Sequence, residues 1–257
     1  MRPLRTALLL LAAAAALPAP ALLTRADRED SEYLEMGTKY VSSVAIGIPG
    51  GGEGVLIAPR WVLTSAQVGS ALAALKAMPA ITFDGSAYEI EEVILYPTWR
   101  AGTPSSDLAL VYLKRSVRGV APTALYKADD EGGQAVVIAG HGPTGRIGGA
   151  ATTTDGKARA AINTVDRVSP KVLTLLVKKP DEASDLQGAL SPGERGGPAF
   201  IQRKENLFVA GIAIGPDTSD ANAQLYTRVS AFAPWIEAAI LRAAKEELRG
   251  QLEAPGS

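Results

Sequence analysis

Over most of this chain the apolar positions fall in short runs, often alternating with polar ones, rather than at helical intervals. Segments 40–46, 54–57, 61–64, 81–83, 88–95, 108–113, 135–139, 158–165, 172–177, 199–202 and 207–214 are rich in β-branched and aromatic residues, and each predicts a strand. Clusters of glycine and proline separate them, notably at 49–52, 102–104, 132–133, 140–149 and 216–220. Many short strands with turn punctuation point to an all-β sandwich or barrel. Near the C-terminus the period changes. Phe232, Trp235, Ile236, Ala239, Ile240 and Ala243 recur at three- and four-residue steps, with Glu237, Arg242, Lys245 and Glu246 on the other side. This predicts one amphipathic helix over about residues 230–249, capped by Ser230 and docked on the body of the domain by its apolar stripe. The tail after Gly250 is expected to fray.

The chain has 257 residues, 47% of them apolar, enough to bury a core of one substantial domain or two small barrels sharing an interface. Acidic and basic residues nearly cancel to a net charge of −1 and are scattered, so no basic stripe suggests nucleic acid. The absence of cysteine rules out disulfides, thiolate metal sites, a cysteine nucleophile and a lipid-modified cysteine. No cofactor and no metal site is expected.

The first residues have the pattern of an export signal. Arg2 and Arg5 flank the start, 7–17 is a short apolar core, and Ala19-Pro20-Ala21 is a small-residue cleavage site. Cleavage is expected after Ala21, leaving 22–257 as the mature chain. Pro18 and Pro20 interrupt the apolar run well short of the roughly 20 residues a spanning helix needs. The expected location is periplasmic or extracellular, with no membrane attachment after cleavage.

Six sequence features, in order, carry a resemblance. The stretch from Leu56 to Gln67 reads L-I-A-P-R-W-V-L-T-S-A-Q, like a strand and turn that ends T-A-A-H. Ser106 to Leu113 reads S-D-L-A-L-V-Y-L, like D-I-A-L-L-x-L, and Val137 to Gly142 reads V-I-A-G-H-G, like V-A-G-W-G. Gly193 to Pro198 reads G-E-R-G-G-P, like G-D-S-G-G-P. Val209 to Ala213, then Leu225 to Val229 with Trp235-Ile236, match the strands that follow it and the start of a terminal helix. Together these resemble the trypsin-like (chymotrypsin-fold) serine proteases. The resemblance implies two six-stranded Greek-key β-barrels packed together, the first over about 36–118 and the second over about 130–230, followed by the C-terminal helix. Secreted animal members commonly carry disulfides, so a cysteine-free chain resembles the bacterial type.

In that family a serine attacks the scissile carbonyl, a histidine takes its proton, and a buried aspartate orients the imidazole. The resemblance assigns these three positions to Arg195, Gln67 and Asp107. A glutamine amide cannot accept a proton near neutral pH. Arginine has no hydroxyl or thiol and stays cationic. Only Asp107 keeps the family residue type, so no peptidase activity is expected. Losing any one member already leaves only roughly 10³- to 10⁴-fold rate enhancement. With its imidazole gone, a buried Asp107 needs a new donor, which the side-chain amide of Gln67 or the guanidinium of Arg195 could supply.

The family also implies an oxyanion loop at Gly193, Glu194 and Arg195. There an aspartate pairs with the newly cut N-terminus; here Glu194 keeps the charge, and cleavage after Ala21 makes Leu22 its candidate partner. Ala189 and Leu190 are the specificity-pocket candidates, with Ala189 standing where trypsins place aspartate. His141, the only histidine, falls on a different strand from the cleft and is expected to pack or face solvent. The leading reading is an exported protease homologue without activity, binding a peptide or protein segment in its former cleft by main-chain pairing. The alternative is an active serine endopeptidase using a non-standard nucleophile such as Ser191, which lacks an adjacent base in the sequence.

Overall fold

The computed structural model describes residues 22–253, apart from 150, 154 and 192. The expected export signal and its cleavage site lie outside the described residues. The chain begins with β1 (Leu23–Thr24) and a short helix α1 (Asp30–Gly37). A first unit follows, with β2 (Ser43–Ala45), β3 (Glu53–Ala58), β4 (Trp61–Thr64), helix α2 (Ala66–Ala73), β5 (Ile81–Phe83), β6 (Ser86–Tyr88), β7 (Ile90–Leu95) and β8 (Ala109–Leu113). The second unit contains β9 (Ala124–Leu125), β10 (Ala135–Gly140), β11 (Thr144–Arg146), β12 (Ala151–Thr153), β13 (Arg159–Thr164), β14 (Arg167–Val168), β15 (Val172–Leu176), β16 (Gly188–Ala189), β17 (Pro198–Arg203), β18 (Asn206–Pro216) and β19 (Ala223–Arg228). Helix α3 (Ala233–Glu253) closes the chain.

In the first unit, five strands form a sheet in the order β2-β3-β4-β8-β7, beside the β5-β6 hairpin. The second unit is built on the order β13-β10-β17-β18-β19-β15-β14, with β9 added alongside β18. A smaller sheet, β12-β11-β1-β16, draws the N-terminal strand into the second unit. There Leu23 pairs with Gly145 on one side and Ala189 on the other. These curled, mainly antiparallel sheets, with β1 parallel to β11 and β9 parallel to β18, have the chymotrypsin-like architecture. Each unit has its own apolar interior. A third cluster joins them, with Val55, Leu63 and Leu110 of the first unit meeting Phe200 and Ile212 of the second under Phe232 and Ile236. Burial of this shared face fixes the two units against each other and brings their loops to a common site.

The two short helices are absent from the periodicity reading because eight residues are too few to display it. Helix α1 is held by a reciprocal capping box between Glu29 and Glu32. Ser65 caps α2 by accepting from the Val68 amide. Two expectations about α3 are corrected. It begins at Ala233, after a 3-10 turn over Val229–Ala231, and the Ser230 hydroxyl donates to Glu131 at 2.6 Å instead of capping it. It also continues past Gly250 to Glu253, beyond the expected end at 249, and the rest of the tail lies outside the described residues. Among the described residues no helix is long and apolar enough to cross a membrane.

Candidate functional site

The site lies where the two units meet. Strand β4 runs through Thr64 into the Ser65 cap, and α2 starts at once, which places Gln67 in the helix's first turn. The first amides of a helix have no partner within it. Here the Gln67 amide donates to Asp107 Oδ1 at 2.9 Å. Asp107 precedes β8 and is 2% exposed. Its loop is locally strained, because the neighbouring Ser106 sits at φ 64° in the left-handed region. Thr227 of β19 donates to the Asp107 carbonyl at 2.8 Å and ties this loop to the second unit.

Arg195 enters from the loop before β17. Its Nη1 lies 3.6 Å from Asp107 Oδ2, a charge contact too long to be a hydrogen bond. The side chain is 34% exposed and passes Gly215, where an added Cβ would stand 3.3 Å from Nη2. Burial pushes the Asp107 carboxyl above its ordinary range, while the Gln67 amide and the Arg195 charge oppose that shift without overcoming it. The structure therefore brings Gln67, Asp107 and Arg195 together: Arg195 pairs with Asp107 as considered in the sequence, whereas Gln67 acts through its backbone and not its side-chain amide. Gln67 contributes its backbone amide while its residue is exposed, and Arg195 contributes charge.

Around Arg195 the glycines are required by space. Gly196 sits at φ 89°, and a Cβ there would come within 2.2 Å of the Glu53 carbonyl oxygen. The Glu53 amide in turn donates to the Arg195 carbonyl at 2.9 Å, fastening the loop to β3. Gly193 also has positive φ, at 105°.

Glu194 points away from the cleft into the protein. It is 1% exposed, accepts from the Ser191 amide at 3.3 Å, and packs so closely on Gly140 that a Cβ there would lie 2.1 Å from Oε1. Burial and the nearby negative charge of Glu53 push its carboxyl well above the usual range, against the effect of the Ser191 and Leu22 amides. Leu22 itself is buried at 1% exposure, so the segment expected to become the mature N-terminus is seated beside Glu194. Ala189 and Leu190 are buried too, and Leu190 belongs to the same apolar cluster as Ala213 and Tyr226. Ser191 is 3% exposed.

His141 has a role that the sequence reading did not find. Its amide donates to Glu53 Oε1 at 2.9 Å and its Nδ1 lies 3.0 Å from Glu53 Oε2. Burial alone would lower the imidazole's pKa, but the Glu53 carboxylate overrides this and raises it. Glu53 and His141 are separated by 88 residues. The sequence offers only one signal for the pair, a lone acidic residue at the head of the apolar run 54–58.

Two cavities of about 660 and 690 Å³ open elsewhere. One lies between Leu125, Phe208 and Ile240, the other between Tyr40, Phe83 and His141. Among the described residues no group of three or more His, Asp or Glu side chains is placed to hold a metal ion.

Two curled, mainly antiparallel sheets, with a glycine-framed loop and a buried aspartate facing each other across their junction, define a protein of the chymotrypsin-like fold. The trypsin family model matches residues 37–236, and the chain belongs to that family. Among solved structures it is similar to mouse neuropsin, described as a serine protease expressed in the limbic system of the brain. The identity is 16% and the TM-score 0.63, over 79% of this chain and 96% of the other, a likeness of fold alone. No curated protein matches the sequence.

Proposed function

We propose that this chain is an exported member of the trypsin family without catalytic activity, retained as a peptide- or protein-binding module. The observation that carries the reading is the Arg195 guanidinium, 3.6 Å from Asp107 at the position where the family needs a nucleophile. An arginine cannot attack a carbonyl, and its bulk and charge occupy the space the scissile bond would enter. The proposal is supported at the second position by Gln67, whose side chain has no group able to take a proton near neutral pH. The only imidazole is bound to Glu53, and Asp107 accepts from the start of α2 and stands in charge contact with Arg195. Binding by main-chain pairing is supported by β18. Its partner β17 accompanies it only as far as Ile212, so Ile214–Pro216 has an edge without a strand among the described residues. Export rests on the leader pattern of residues 1–21.

The test is chemical. Purified protein is incubated with a broad peptide mixture and with a serine-directed phosphonate probe, beside a variant carrying Gln67→His, Glu194→Asp and Arg195→Ser together. The parent is expected to show no turnover and no covalent label, and the triple variant to gain labelling and slow turnover. Turnover or labelling of the parent would overturn the reading.

A further inference from the structure

We propose that the former cleft is a receptor for the C-terminal carboxylate of a peptide, gripped by the Arg195 guanidinium and the adjoining loop amides. This rests on the binding-module reading above and names the chemistry of its ligand. Arginine carries several N–H donors in a rigid fork. Its one charged contact is made to Asp107 through Nη1 at 3.6 Å, and among the described residues its side-chain N–H groups have no acceptor other than Asp107. A fork that is one-third exposed and faces a single acceptor, Asp107, through one nitrogen keeps its other N–H groups for a ligand. A carboxylate completes it with two parallel charge-assisted bonds.

The surroundings select the same chemistry. Among the described residues the amides of Gly193 and Arg195 have no acceptor, and both residues are partly exposed. Lys171, donating to Ser106 at 3.2 Å, adds a cation beside the Asp107 loop. The carboxylates beside Arg195 are turned inward, since Asp107 and Glu194 are buried and Glu53 is held by His141, and Asp217, just past the edge, accepts from Ser219. The exposed side of the site therefore presents donors and positive charge. Shape then separates a chain end from a chain passing through. The guanidinium blocks the path a continuous peptide would take past Asp107, whereas a peptide lying along Ile214–Pro216 and stopping there brings its terminal carboxylate to the fork.

The test begins with random peptides displayed with free C-termini and selected on the purified protein. Selected sequences are synthesised as free acids and as C-terminal amides, and their Kd values are measured by fluorescence anisotropy. The acids are expected to bind about tenfold more tightly than the amides, the scale of a charge-assisted bidentate contact. Arg195→Gln is expected to erase that difference. The double variant Arg195→Gln with Asp107→Asn serves as the folded control, since it leaves no buried charge unpaired. Equal binding of acids and amides, including peptides that owe their affinity to an internal Asp or Glu, would overturn the carboxylate grip while leaving a binding module in place. Recovery of no peptide at all would overturn both.

Discussion

Arg195 and Asp107 form a contact between unequal partners, one a third exposed and the other buried. The Coulomb term is screened on the arginine side, so its stabilising worth is modest, yet removing the cation strands a carboxylate that burial already disfavours. Arg195→Met is expected to cost about 1–2 kcal/mol in urea unfolding, the scale of a polar group left unsatisfied. Asp107→Asn alone keeps an acceptor for the Gln67 amide and is expected to be nearly neutral. The pair together should recover most of the loss, giving a coupling energy that a double-mutant cycle reads directly. Additive losses would mean that the two side chains do not interact in solution. The same residues show what local sequence can reveal. The chemistry of Gln67 and Arg195 is intrinsic to their side chains and was legible without coordinates. The use of the Gln67 backbone, rather than its amide group, follows from where α2 begins and was not.

At the scale of elements, the second unit is held by short pieces with long-range partners. Helix α1 packs on β13 through Gly37, where a Cβ would lie 2.3 Å from the Ala158 carbonyl oxygen, and through Arg159, which is 1% exposed. Arg159 donates through Nε and Nη2 to Asp30, at 2.7 Å each, and also reaches Asp155. Gly37→Ala is expected to force the helix off the sheet and to destabilise the protein by about 1–3 kcal/mol, as overpacking of a tight contact does. An unchanged denaturation midpoint would show that the contact can relax. Strand periodicity found most of the long strands, including β4 and β5 at their observed bounds, because alternation is a local property. It missed β1, β9, β11, β12, β14 and β16, each of two or three residues, with β11 inside the glycine-rich stretch read as a separator. Two-residue strands carry no period and exist only through their neighbours.

For the whole molecule, the decisive arrangement is the N-terminal segment threaded between β11 and β16, with Leu22 beside the buried Glu194. While Leu22 is an internal amide, Glu194 has a raised pKa. A raised carboxyl contributes stability below its unfolded pKa and loses it as pH rises through the folded value. Cleavage after Ala21 would place an ammonium there, ionised at neutral pH, and reverse this penalty. A mature chain starting at Leu22 is therefore expected to melt several degrees higher at pH 7 than the same chain with one methionine added in front. The gap should close in acid, where Glu194 is protonated in both. Identical melting curves across pH, or an N-terminal sequence of the protein recovered from its host that starts far from Leu22, would sink the idea.

The sequence alone determined the all-β class, the terminal helix, the family resemblance and the side chains that the resemblance assigns to its three chemical positions. Each of these depends on periodicity or on the chemistry of single side chains, which are local. Tertiary structure alone decided what those groups touch. The charge contact of Arg195 with Asp107, the Glu53–His141 pair across 88 residues, and the seat of Leu22 beside Glu194 all arise where distant segments are pressed together by the packing of the two sheets. Burial raises the energetic stakes of every charge placed there, and burial is a property of the assembled fold.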